Sequence, residues 1–302
     1  MKTKDLLSVS DLSATEIEQL ITSAIEMKRH SASQQLCDKT LVLIFEKPSL
    51  RTRVSFEVAI RQLGGHCLYL SPEEVGLGKR EPVSDVARVL CRYVDGIIAR
   101  TFTHQTLQTL AQYSDVPVIN ALSDLEHPCQ ALADMVTIHE KKGGFRGLTL
   151  AFVGDGNNVA NSLLLAASAI GINFYIASPP SYSINKEILQ TARGLADHSG
   201  SKIMLTEDPS QVVKSADIIY TDVWTSMGQE TEAEQRRIAF ADYQVNTNLL
   251  SLANSDVIVM HPMPAHHGEE LAAELLDSPC TVVFDQAENR LHLQKALLAS
   301  MF

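Results

Sequence analysis

Cysteine is scarce and falls into no pattern. Cys37, Cys67, Cys91, Cys129 and Cys280 are odd in number and scattered through 302 residues. With no CxxC pair and no zinc-ligand spacing, neither a disulfide framework nor a zinc site organises this chain. Reduced thiols in a cytoplasmic protein are expected. Basic charge is short as well, with 25 Lys and Arg against 36 Asp and Glu, a net charge of −11. That balance argues against non-specific binding to nucleic acid or to an anionic membrane. The opening MKTKDLLSVSDLSATEIEQL lacks a signal-peptide core, and no apolar run reaches membrane-spanning length. Internal repeats and low-complexity tracts are missing too. What is present is an ordinary globular composition, 45% hydrophobic and 20% charged, long enough for two domains.

Against that acidic background one basic stretch stands out, FEKPSLRTRVSFEVAIRQLGG from Phe45 to Gly65. Phe56, Ala59, Ile60 and Leu63 are spaced three and four apart, the apolar stripe of a helix, and Gly64 and Gly65 end it. Ser49, Leu50, Arg51, Thr52 and Arg53 therefore fall at a helix N-terminus. Free N–H groups and the positive end of the dipole favour an anion there, and forked guanidinium donors match phosphate. An ordinary basic helix start on a solvated face is the plainer reading of the same residues.

The rest of the chain alternates strands and helices. Ser10 to about Lys28 reads as a helix with a Ser13/Glu16 capping box. Strands are expected at Leu41–Phe45, His66–Leu70, Gly96–Arg100 and Val116–Asn120, with helices from Asp85 to Tyr93, up to Tyr113, and after His127-Pro128-Cys129-Gln130. A repeating β–α pattern implies a parallel sheet, whose loops at one edge would carry Arg51, Arg53, Arg100, His127 and Gln130. KKGGFRG, residues 141–147, is the expected boundary. A second series follows, with strands at Leu148–Val153, Asn173–Ala177, Ile203–Leu205, Asp217–Thr221, Val257–Met260 and Val282–Phe284, then a helix from Gln286 to Met301. The turn Gly154-Asp155-Gly156-Asn157-Asn158 approaches a dinucleotide fingerprint without completing it. His261-Pro262-Met263-Pro264 leads into His266, His267, Glu269 and Glu270. Pro262 and Pro264 forbid a regular metal-binding helix there, so a rigid polar turn is favoured over a metal.

Together these residues resemble the aspartate/ornithine transcarbamylase family, and its ornithine branch. Ser49-Leu50-Arg51-Thr52-Arg53 is similar to the S-x-R-T-R carbamoyl-phosphate motif, with Leu50 where threonine is usual. His127-Pro128-Cys129-Gln130 matches H-P-x-Q. Asp222-Val223-Trp224-Thr225-Ser226-Met227-Gly228 matches the D-x-x-x-S-M-G loop of the ornithine branch. Gly154 to Asn158 and Glu288-Asn289-Arg290 fit as well, so the resemblance runs through nearly the whole chain. One departure is marked. The ornithine branch carries H-C-L-P, and here Pro262 stands in place of the cysteine, in the H-P-x-P form of the aspartate branch.

The resemblance implies two doubly wound parallel-sheet α/β domains: residues 1–140 with the returning C-terminal helix 286–302 for carbamoyl phosphate, and 147–285 for ornithine. It implies carbamoyl transfer to the δ-amine of L-ornithine, giving citrulline and phosphate in arginine biosynthesis, with neither cofactor nor metal. Ser49, Leu50, Arg51, Thr52 and Arg100 would bind phosphate. His127, Thr52 and Arg100 would donate to the carbamoyl oxygen, while Pro128 and Cys129 share the H-P-x-Q turn. Gln130, Arg290 and the carbonyls of Pro262 and Met263 would orient the carbamoyl amide. Asp222 would meet the α-ammonium, and Asn158, Ser226 and Met227 the α-carboxylate. A homotrimer, or a multiple of one, with shared active sites would bring Gly76 and Lys79 of a neighbouring loop to the phosphate. Putrescine, an ornithine derivative or aspartate are alternative amines. A nicotinamide dehydrogenase and a non-catalytic binder are readings from other classes.

Overall fold

The structure is a computed structural model and describes residues 3–29, 34–226 and 228–302; the expected ornithine contact Met227 lies outside the described residues. Two compact units form, Met1–Val136 with Glu288–Phe302, and Thr137–Ala287.

The first unit starts with α1 (Ala14–Arg29). Ser13 caps it reciprocally: Glu16 Oε2 accepts from the Ser13 N–H and hydroxyl, and the Glu16 N–H donates back to Ser13 Oγ. Then come β1 (Thr40–Phe45), α2 (Leu50–Gln62), β2 (His66–Leu70), α3 (Pro72–Val75), α4 (Val83–Leu90), β3 (Gly96–Arg100), α5 (His104–Tyr113), β4 (Val118–Leu122) and the start of α6 (Pro128–Lys142). The strands are parallel in the order β2-β1-β3-β4. The interior strands β1 and β3 are buried almost throughout, which explains why they read as continuous apolar runs and not as alternating ones. Strand order reverses between β1 and β3, and a doubly wound sheet holds its ligand beyond the C-terminal ends of such a pair. Phe45 and Arg100 are partners at that edge.

The second unit repeats the plan with β5 (Thr149–Val153), α7 (Asn158–Ile170), β6 (Asn173–Ala177), α8 (Lys186–Ser199), β7 (Ile203–Thr206), α9 (Pro209–Val213), β8 (Ile218–Tyr220), α10 (Ala233–Phe240), α11 (Thr247–Leu250), β9 (Ile258–Met260) and α12 (Val283–Met301). Its parallel order is β7-β6-β5-β8-β9, so the reversal lies between β5 and β8. Phe152, Phe174 and Tyr220 are fully buried in this sheet, with Phe152 stacked against both others. From Glu288 onward α12 belongs to the first unit, where Lys28 Nζ meets Glu288 Oε2 and Asn289 Oδ1, each at 2.9 Å.

Two expectations need correction. Val282–Phe284 is no strand: Val283 and Phe284 open α12, and only the neighbouring Thr281 bridges to Val259. Three apolar residues are too few to show a period. The strand expected at Val116–Asn120 begins two residues later, after Pro117.

Candidate active site

At the first reversal point, Ser49 caps α2, its Oγ accepting from the Thr52 N–H at 3.3 Å. Among the described residues the N–H groups of Leu50 and Arg51 have no partner, so two donors at this helix end are available to an anion. Leu50 is 75% exposed. Arg51 is partly buried, which lowers its pKa. Arg100, at the end of β3, is 8% exposed. Burial, then the charges of Arg290 and Arg51, pull its pKa down to about 10. Neither Arg51 nor Arg100 forms an ion pair among the described residues. Guanidinium groups held this close in a buried place are stabilised by an anion.

Arg53 is different. Its Nε donates to Glu57 Oε1 at 2.7 Å, and its guanidinium lies 3.7 Å from the centre of the Tyr69 ring. The second arginine of the motif thus joins an i,i+4 ion pair within α2 and ties that helix to β2 by a cation–π contact.

His127 immediately precedes α6 and is 5% exposed. Burial, reinforced by Arg290 and Arg100, holds its pKa well below the usual histidine range, so it is a neutral imidazole at neutral pH. Arg290 donates from Nη2 to Thr52 Oγ1 at 2.6 Å. The Thr52 oxygen is therefore the acceptor in that bond, and its own proton remains to be donated elsewhere. Gln130, one turn into α6, donates from Nε2 to Asp134 Oδ1 at 2.8 Å. The carboxylate can only accept, which fixes the amide orientation, and Gln130 Oε1 has no partner among the described residues. Pro128 is the first residue of α6, where its lack of an N–H costs nothing. The Cys129 side chain turns to β4, with Sγ 3.4 Å from the Asn120 carbonyl, and burial pushes its pKa up to about 12. Gly76 ends α3 in the left-handed conformation at φ 56°, and Lys79 in the following loop is exposed.

The second unit places a different set at its reversal point. Asn157 caps α7, its Oδ1 accepting from Val159 and Ala160, while its Nδ2 donates to Asp222 Oδ2 at 2.8 Å. The neighbouring Asn158 is the first helical residue and is partly exposed. Asp222 follows β8, is 8% exposed, and also accepts from the Val223 N–H at 2.8 Å. Burial raises its pKa against the opposing pull of His261, Asn157 and Val223. The Ser226 N–H donates to Gln229 Oε1 at 3.1 Å, and the Gly228 N–H to the Glu230 carboxylate at 2.9 and 3.0 Å.

The turn after β9 is braced by three buried polar groups. The His261 N–H donates to Gln286 Oε1, itself tied to Tyr220 through Nε2. The Met263 N–H donates to His261 Nδ1 at 2.9 Å, so Nδ1 is unprotonated and Nε2 carries the hydrogen, which goes to Glu270 Oε1 at 3.0 Å. Burial would raise the Glu270 carboxyl, but His261 and the His266 N–H more than offset it, and its pKa is lowered. Met263 sits at φ 55°, left-handed for a non-glycine residue, before a cis peptide to Pro264. The Pro262 and Met263 carbonyls accept no hydrogen bond among the described residues. His266, Glu269 and Glu270 could bring ligand atoms within 4.8 Å of one another, but Glu270 already serves His261 and Glu269 pairs with Arg237.

Sequence reasoning missed Asp134, Asn157, Gln286 and Glu270 as groups that hold site residues in place. The spacing of Gln130 and Asp134 was a readable signal, since i,i+4 residues share a helix face. Asn157 and Gln286 act across 65 and 25 residues, where no local pattern reveals them, and Glu270 reaches back nine residues over a turn of no regular period.

The geometry agrees with comparisons to known proteins. Residues 4–140 match the carbamoyl-P binding domain model of aspartate/ornithine carbamoyltransferase, and residues 146–301 the Asp/Orn binding domain model. An ornithine carbamoyltransferase from Thermococcus kodakarensis is 51% identical over 300 residues, covering 98% of this chain and 95% of the relative. An anabolic ornithine carbamoyltransferase from Pyrococcus furiosus is 50% identical over 300 residues, covering 98% and 95%. The solved structure of a Pyrococcus furiosus ornithine carbamoyltransferase superimposes with a TM-score of 0.95 at 50% identity, covering 98% of this chain and 96% of that one. With family models matched over residues 4–140 and 146–301 and relatives at half identity, this chain belongs to the aspartate/ornithine carbamoyltransferase family.

Proposed function

We propose that the chain transfers the carbamoyl group of carbamoyl phosphate to the δ-amine of L-ornithine, releasing citrulline and phosphate. The observation that carries this is a chain of cations and one neutral imidazole: Arg100 lies close to Arg51 and Arg290, and Arg100 and Arg290 lie close to buried His127, while Arg51 stands in the first turn of α2. Arg51, Arg100 and the N–H groups of Leu50 and Arg51 neutralise the phosphate and make it a better leaving group. His127 and the Thr52 hydroxyl donate to the carbamoyl oxygen as negative charge gathers there. Preorganised donors of this kind contribute about 3–4 kcal/mol each. Gln130 Oε1 and the Pro262 and Met263 carbonyls accept from the carbamoyl NH2. The ornithine nitrogen forms the new C–N bond, the C–O bond to phosphate breaks, and the released phosphate accepts the amine proton.

Asp222 takes the α-ammonium of ornithine, and Asn158 with the Ser226 and Met227 backbone takes the α-carboxylate. For that, the Ser226 N–H exchanges the Gln229 side chain for substrate. The aspartate branch shares the H-P-x-P turn, yet a buried carboxylate at Asp222 repels a dianionic second substrate. Citrulline production for arginine biosynthesis fits the anabolic relative. A cytoplasmic enzyme is consistent with the described helices, none of which is long and apolar enough to cross a membrane.

The test is an assay of purified protein with carbamoyl phosphate and ornithine, aspartate, putrescine or acylated ornithines. Citrulline formation with ornithine preferred is the expected result, and preference for any other amine overturns the assignment. We further propose a homotrimer in which exposed Lys79 reaches the phosphate of a neighbouring copy. Inactive Lys79→Ala and Arg51→Ala subunits should then regain activity in mixed trimers, and verified mixed trimers that stay inactive would rule out the shared site.

A further inference from the structure

Arg236 on α10 has a side chain only 3% exposed, and no step of the proposed reaction uses it. Its Nε donates to the Trp224 carbonyl and its Nη2 to Asp155 Oδ2. The guanidinium carbon lies 4.6 Å from the centre of the Tyr182 ring. Trp224 stands within the loop from Asp222 to Gly228, and its indole stacks on Phe240 of the same α10, with ring centres 6.0 Å apart. Its indole N–H has no partner among the described residues, so stacking and the carbonyl bond hold this residue.

Asp155, the other anchor, belongs to a turn with little freedom. The Gly156 N–H donates to the Tyr182 carbonyl at 2.8 Å, and a Cβ on Gly156 would lie 2.5 Å from the backbone of Ser183 and Ile184. The next residue, Asn157, holds Asp222. The glycine turn therefore grips the loop twice, through Asn157 at Asp222 and through Arg236 at Trp224. Beyond Trp224 the support changes character: among the described residues the Ser226 and Gly228 N–H groups bond only to the side chains of Gln229 and Glu230, which directly follow the loop.

We propose that Arg236 is a positioning residue for the amine substrate, acting through Asp155 and the Trp224 carbonyl to set the backbone of Ser226 and of Gly228 against the α-amino-acid head of ornithine. The inference rests on the ornithine reading above, and citrulline formation by the unmodified enzyme checks that reading separately. A planar fork is needed to serve a carbonyl and a carboxylate together, so lysine is a poor substitute. The groups assigned to the phosphate lie in the other unit, and Arg236 bonds to Trp224 and Asp155, not to the Pro262-Met263 turn, so carbamoyl phosphate binding should not respond.

The experiment measures steady-state kinetics of Arg236→Gln, Arg236→Lys and Asp155→Asn, with folding checked by thermal melting. The expected result is a KM for ornithine raised about tenfold or more in Arg236→Gln, less in the other two, with the KM for carbamoyl phosphate unchanged. Trp224 is the only tryptophan, so its emission reads the loop directly. The change produced by ornithine in the presence of inorganic phosphate should shrink in parallel. If Arg236→Gln does not fold, Asp155→Asn, which keeps the side-chain shape, carries the test alone. An unchanged ornithine KM in the folded variants, or equal losses toward both substrates, overturns the proposal.

Discussion

The two units place their proposed ligand sites at equivalent points of similar sheets, yet they build them by opposite means. The first concentrates positive charge. Arg100 is buried beside Arg51 and Arg290, and the N–H groups of Leu50 and Arg51 at the start of α2 have no partner among the described residues. The second is built around buried carboxylates, each accepting from a specific donor: Asp222 from Asn157 and Val223, Asp155 from Arg236, Glu270 from His261. A phosphate brings concentrated charge and tolerates a cluster of cations. An amino acid with two cationic amines needs a shaped, partly negative site. The difference teaches that one fold can serve opposite charges because only the residues at the strand ends have to change.

The largest effect should come from the cation cluster. Arg51→Ala is expected to lower kcat/KM for carbamoyl phosphate by about a thousandfold, and Arg51→Lys to recover little of it, since a point charge cannot fork. Steady-state kinetics with carbamoyl phosphate varied decides this, and near-normal values in the Ala variant would break the contrast between the units. Next comes Asp222→Asn, which keeps the shape and removes the charge. It should cost about a hundredfold in kcat/KM for ornithine, a loss of about 2.7 kcal/mol, while leaving the KM for carbamoyl phosphate nearly constant. Loss of carbamoyl phosphate binding in that variant would mean that the two charge systems are not separate.

The contrast also explains what could be read from the sequence. The first site is written locally. Ser49, Arg51 and Thr52 sit within one turn, and the apolar stripe from Phe56 to Leu63 declares the helix that presents them. Strands β1 and β3 are unbroken apolar runs. From the residues alone the two arginines of that motif look equivalent; the family resemblance gives only Arg51 a phosphate role, and the fold supplies the other half, with Arg53 held on Tyr69 and Glu57. The second site is written in pairs 65 to 81 residues apart, such as Asn157 with Asp222 and Asp155 with Arg236. Helix α8 was overlooked although Asn185 caps it and Gly200 ends it at φ 80°; those signals were local and legible.

A smaller effect concerns protons. His127 has a folded-state pKa lowered by burial, Arg290 and Arg100, whereas an unfolded histidine titrates near ~6.5. Below that value the unfolded chain binds a proton that the folded one refuses. Stability from this residue is thus present above pH ~6.5 and lost as pH falls below it. Urea melts of the enzyme and of His127→Gln should differ in that window, the variant losing less stability on acidification. Identical slopes would show that His127 is not held neutral. The pH profile of kcat/KM for carbamoyl phosphate should likewise lack an inflection at the ordinary histidine value.

The smallest expected effect is no effect at all, and it follows from Pro262. Where the ornithine branch carries a cysteine, this turn has a side chain that cannot ionise, and its shape is held instead by the Met263 N–H on His261 Nδ1 and by His261 on Glu270. Cys129, the thiol nearest the motif residues in sequence, is buried, bonded to the Asn120 carbonyl and pushed up to about 12, so it offers almost no thiolate. Cys67 is likewise held at about 12, while Cys37 is exposed on the surface. Iodoacetamide at mildly alkaline pH should therefore label Cys37 first and leave citrulline formation intact. Pro262→Cys sharpens the point: it should create a site whose alkylation does abolish turnover, because the modified side chain would lie beside the Pro262 and Met263 carbonyls. Inactivation of the unmodified enzyme in step with alkylation of Cys129 would show that a thiol still works at this site, and that the turn alone does not replace it.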